Sequence, residues 1–148
     1  MTTIKYEAPA STTTLLSTEL NSLGDGANKL SAAISNDAAG ELYLYMDLEL
    51  YIATQGATRG ADARVDIYIL EELDGSNYTY GGDSQDPPEN AWVASFLFDA
   101  ATTARYNHVR GIPIPPTDFK VLVINETGQA FASSGNTLKY SRYNLQSA

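Results

Sequence analysis

Residues 42 to 52 read Leu-Tyr-Leu-Tyr-Met-Asp-Leu-Glu-Leu-Tyr-Ile, with an apolar side chain at every even position and a polar or tyrosyl one at every odd position. A repeat of two is that of an extended chain, whose successive side chains point to opposite sides of a sheet. The stretch is therefore a β-strand with one buried face. A helix would scatter the same apolar set around its circumference. A long strand that must bury one face needs a second layer to bury it against, and that requirement shapes the rest of the reading.

Other segments repeat the pattern. Residues 63 to 70 set Val65, Ile67 and Ile69 against Arg64, Asp66 and Tyr68, and residues 92 to 98 place Trp92, Ala94, Phe96 and Phe98 on one face. Val93 and Leu97 make the other face of that strand partly apolar, so it should be covered on both sides. Residues 30 to 34, 104 to 110, 119 to 124 and 138 to 143 read as further strands. Between them lie turn formers such as Asp74-Gly75, Gly81-Gly82, Pro87-Pro88 and Ser134-Gly135. Leu16, Leu20, Leu23, Ala27, Leu30 and Ile34 step by fours and threes as on a helix, but Gly24 and Gly26 interrupt them, leaving a short helix at 15 to 23.

Seven or eight short strands in 148 residues make an all-β chain, expected to be a single-domain, jelly-roll-like β-sandwich over residues 15 to 148. Residues 1 to 14 are Thr-rich with few large apolar side chains and read as an extended N-terminal arm. The glycine- and proline-punctuated stretch 81 to 90 reads as a loop projecting from one end of the sandwich.

Composition removes several functions. The chain has no cysteine, which excludes disulfides, thiolate nucleophiles and Cys-based zinc sites. Eighteen acidic residues against nine Lys and Arg give a net charge of -9, so a nucleic-acid backbone is repelled. Neither a signal peptide nor a membrane span is encoded, and a soluble protein outside the general secretory route is expected. No phosphate-binding glycine loop, dinucleotide fingerprint, H-E-x-x-H or G-x-S-x-G turn occurs.

The remaining chemical candidates have plainer readings. Asp83, Asp86 and Glu89 are oxygen donors of the kind calcium takes, but their spacing matches no calcium loop, and a solvated acidic turn is favoured. Asp47 and Glu49 share a strand face at a separation within the range of paired glycosidase carboxylates, an arrangement that a water-facing polar strand also produces. The single histidine, His108, has no serine selected to accompany it. We expect no catalytic residue, no metal and no cofactor.

Binding candidates are stronger. Residues 1 to 100 carry a net charge of -12 and residues 101 to 148 a net of +3, so Arg105, Arg110, Lys120, Lys139 and Arg142 either meet an acidic neighbour or pair within the sandwich. Of the ten tyrosines, Tyr43, Tyr45, Tyr51 and Tyr68 fall on predicted polar strand faces, where a flat apolar ring with a polar tip suits a protein interface or a sugar platform.

Residues 110 to 116, Arg-Gly-Ile-Pro-Ile-Pro-Pro, followed by FKVLVINETGQAFASSGNTLKYSRYN at 119 to 144, resemble a segment of small structural proteins of tailed bacteriophages. LNSLGDGANKLSAAISND at 20 to 37 and residues 42 to 53 extend the resemblance over most of the chain beyond the arm. It implies particle assembly and carries over no functional residue. The expectation is a capsid decoration or cement protein on the virion surface, binding the major capsid protein as a homo-oligomer, with a trimer the natural guess. Its interface would include Ile4, Tyr6, Tyr43, Tyr45, Arg105, Arg110 and Arg142, with the arm clasping a neighbour. A tail, neck or baseplate component and a carbohydrate-binding module using Tyr43 and Tyr45 are the alternatives.

Overall fold

The computed structural model describes residues 3 to 36 and 42 to 147. Ten strands follow one another: β1 (Ile4–Tyr6), β2 (Thr13–Leu16), β3 (Asn28–Leu30), β4 (Tyr45–Ile52), β5 (Arg64–Glu71), β6 (Trp92–Leu97), β7 (Arg105–Pro113), β8 (Phe119–Glu126), β9 (Thr137–Tyr143) and β10 (Leu145–Ser147). They form two four-stranded antiparallel sheets, ordered β2-β9-β4-β7 and β3-β8-β5-β6, and a two-stranded ribbon of β1 and β10. The pairs β2·β9, β3·β8, β4·β7 and β5·β6 are nested. A long antiparallel ribbon folded at β5 and β6 is rolled until β9 meets β4 and β8 meets β5, which is the jelly roll.

The core lies between the two sheets. Met46, Leu48, Leu50 and Ile52 of β4 are buried, as their alternation requires, and face Val65, Ile67 and Ile69 of β5 and Phe119, Val121 and Val123 of β8. Leu42 and Leu44 continue the alternation in sequence but are more than half exposed, because β4 begins only at Tyr45. Trp92 is likewise exposed rather than buried beside Ala94. The β5·β6 register slips between Ile67 and Tyr68, and this bulge turns Trp92 outward while Val93 packs on the core. The helical spacing at 15 to 23 yields the end of β2 and a single 3-10 turn, Thr18–Leu20.

One other expectation is corrected. Loop 81 to 90 does not project; it folds across the outer face of β3, β8 and β5. Asp83 accepts the Leu30 amide at 2.8 Å and pairs with Lys29, while Asp86 accepts from the Asn28 amide group at 3.0 Å. Gly81 sits so close to Leu70 and Leu122 that an added Cβ would lie 2.9 Å from the Leu70 Cδ1, at a φ of +146° that favours glycine. The loop thereby covers Leu70 and Leu122, whose apolar side chains lie on the outer side of that sheet.

The arm runs extended along its own chain. Glu7 and Ala10 donate to the carbonyls of Asn144 and Arg142, both at 2.8 Å, so residues 4 to 16 run antiparallel beside β9 and β10 almost without interruption. Residues 3 to 9 remain exposed throughout.

Candidate functional site

Because β9 and β4 are central in their sheet, their outward residues make one surface, bordered by β7 on one side and the arm on the other. Direct cross-strand neighbours share a face. Tyr45 therefore lies beside Tyr143, Asp47 beside Ser141, and Glu49 between His108 and Lys139.

At one end of this surface the tyrosines pack on one another. Tyr45 stacks on Tyr143 with centroids 5.6 Å apart, and Tyr6 of β1 meets Tyr143 edge-on at 5.7 Å. Burial, with the nearby Asp47 carboxylate second, pushes the Tyr143 phenol pKa up. A groove of about 440 Å³ opens beside these rings, lined by Tyr6, Glu7, Pro9, Asp47, Arg110 and Tyr143. At the adjoining rim the Arg142 guanidinium lies over Tyr43, 4.6 Å from its centroid, and donates to the Ser35 carbonyl at 2.5 Å. At the other end Tyr51 packs on Tyr106 at 4.4 Å.

The carboxylates here are occupied by the fold. Asp47 accepts the Gly111 amide at 2.9 Å, where a bulge opposite β4 needs the positive φ of that glycine. Glu49 accepts from His108 at 3.0 Å and faces Lys139 at 3.6 Å. Ser141, the serine in the groove that holds these groups, donates to the Ala10 carbonyl at 2.6 Å. Asp47, Glu49 and Ser141 thus each tie neighbouring segments of the fold together. Asp83 and Asp86 are likewise spent on Lys29, Leu30 and Asn28, and among the described residues no three metal-binding side chains come together.

Of the seven residues expected at an interface, six gather in the same half of the molecule. Ile4 and Tyr6 lie on β1, Tyr45 stacks beside them through Tyr143, Arg110 lines the groove, and Tyr43 and Arg142 form the rim. Arg105 is apart. It pairs across from Ile52 at the far end of β4 and holds Asp99 at 2.6 Å. Arg105, Lys139 and Lys120 thus engage their own chain, the last over the Tyr78 ring at 4.1 Å, whereas Arg110 is exposed and makes no ion pair among the described residues.

The sequence reading missed two features. Leu42 and Leu44 join the terminal patch through Asn144, whose side chain accepts from Leu44 N–H at 2.9 Å and donates to the Leu42 carbonyl at 3.0 Å. Leu145 of β10 lies opposite Tyr6 and is also exposed. Three-residue strands of mixed polarity carry no period long enough to mark them, so the ribbon that gathers these side chains left no signal.

No family model matches the chain, and no curated protein matches it. Among solved structures, it aligns over 98% of its length with 93% of a chain described as carbohydrate-binding module CBM36 in complex with calcium and xylotriose, at 14% identity and a TM-score of 0.38. A likeness at that level says nothing of what this chain binds.

Proposed function

We propose that this chain is a structural subunit of a tailed-bacteriophage virion, one that decorates the head by holding to its neighbours through area and shape, with no catalysis. The observation that carries the reading is the placement of exposed apolar side chains at well-separated parts of the surface. Ile4, Tyr6, Leu42, Leu44 and Leu145 lie around the terminal ribbon, and Leu97 and Tyr106, exposed by 70% and 65%, lie on the two outer faces of the β6–β7 corner, with Leu73, Tyr80 and Trp92 exposed elsewhere. The ribbon and the corner lie toward opposite ends of β4, roughly 20 Å apart at about 3.3 Å per residue. A particle subunit that touches more than one neighbour needs apolar contacts at more than one place, and avidity across a lattice makes modest contacts sufficient.

A sugar platform fits the same rings less well. Tyr45 spends one face on Tyr143, Tyr51 on Tyr106, and Tyr43 lies under Arg142. The test is co-sedimentation of the purified chain with phage heads that lack it. Saturable retention is expected, falling at least about tenfold for Leu97→Asp with Tyr106→Ser, a loss near 1.4 kcal/mol of contact. Absence of retention for the unaltered chain, or undiminished retention for a folded variant, overturns the reading.

A further inference from the structure

The four sheet edges are not treated alike. β3 is covered by loop 81 to 90, which takes the Leu30 amide. β6 carries a bulge, and its Leu97 carbonyl is capped by the Asn107 side chain at 2.6 Å. β7 carries a bulge and the exposed His108 and Arg110. These are the usual devices by which an edge is kept from pairing with another chain. The remaining edge, the outer side of residues 4 to 16, is interrupted by Pro9 and by the register shift between Thr14 and Leu16, but its first segment is left uncovered: residues 3 to 9 are exposed, and β1 pairs on one side only, with β10. Open backbone of this kind is a template for another strand.

Its sequence suits one partner in particular. Lys5 and Glu7 stand two apart, flanking Tyr6 on the side opposite its ring, and neither has an ion partner among the described residues. If a second copy lies antiparallel with Tyr6 opposite Tyr6, each Lys5 falls across from the other copy's Glu7, and Ile4 falls across from Ala8. The pairing is its own complement, as an isologous two-fold contact requires. The same approach brings Ile4 and Tyr6, exposed by 69% and 71% and on one face of the ribbon with Leu145, alongside the same side chains of the second copy.

We infer that the chain forms a two-fold homodimer by antiparallel pairing of β1 with β1 of a second copy, in a register set by Lys5 against Glu7. This rests on the adhesive reading above and gives the terminal surface its occupant, leaving the β6–β7 corner for the particle. The register closes a two-fold and makes no trimer.

Sedimentation velocity of the full chain at low salt tests it. A dimer is expected in the micromolar range. Lys5→Glu alone and Glu7→Lys alone should each weaken dimerisation at least about tenfold, because each places two like-charge pairs across the axis. The exchanged double variant, Lys5→Glu with Glu7→Lys, should recover to within about threefold of the parent, a rescue that loss of fold cannot mimic. A parent that stays monomeric to about 100 µM, or a double variant no better than the singles, overturns the pairing. A dimer that heads do not retain leaves the pairing standing and removes the virion reading; a monomer that heads retain does the reverse.

Discussion

Arg59 shows how much a single residue can hold while remaining invisible in the pattern. Its side chain is completely buried, yet it donates to the Asp99 carbonyl at 3.0 Å, the Gln55 side chain at 2.9 Å and the Thr103 carbonyl at 3.2 Å, and it pairs with the Asp99 carboxylate at 2.9 Å. Phe98 lies under the guanidinium, 5.7 Å away. A planar fork of five donors can join loop 53 to 63 to loop 98 to 104 in this way, and a lysine cannot. Removing it strands several buried acceptors at once. Arg59→Ala should therefore cost about 3 kcal/mol in urea denaturation, whereas Arg105→Ala, which removes the exposed partner of the same Asp99, should cost a small fraction of that. Equal losses would show that the carboxylate pair, and not the buried carbonyls, accounts for the role of Arg59. Nothing in the stretch around Arg59 marks it as buried, because a loop arginine reads as solvated until the carbonyls it will meet are placed beside it.

At the level of elements, legibility followed period. β4 and β5 alternate with period two, and their side chains announced the face they bury. Features that depend on a neighbour did not. Trp92 sits in phase with Ala94 and Phe96 but is turned outward by a bulge defined against β5. The return of loop 81 to 90 depends on Asp83 meeting β3, more than fifty residues earlier in the chain. That contact titrates. Lys29, and then the Leu30 amide, hold the Asp83 carboxyl below its usual range, so its stabilising contribution is fully present above the unfolded-state value near 4 and is lost as pH falls through the lower folded value. By NMR the Leu30 amide shift should stay constant from pH 7 to about 4.5 and move below about pH 4, together with the Asp83 carboxyl. Asp83→Asn should abolish that movement. A Leu30 shift that titrates nearer pH 6 would mean that another group governs the loop.

For the molecule as a whole, the jelly roll was legible because eight strands with apolar faces in one acidic, cysteine-free chain have few ways to bury themselves. The direction of the arm was not, since uncharged threonines pair as readily with a neighbouring chain as with their own C-terminus. The same limit applied to the expected interface: six of its residues gather in one half of the molecule, while Arg105 stands at the far end of β4, held by Asp99. The apolar side chains left open around the terminal ribbon and at the β6–β7 corner are what the proposed role in a particle rests on. Quantitative mass spectrometry of purified virions tests that most directly. The chain should be present at a fixed, near-integer ratio to the major capsid protein; tens of copies per particle would move it to the tail or neck. Its absence from purified particles, with the protein left free in the lysate, would contradict the account.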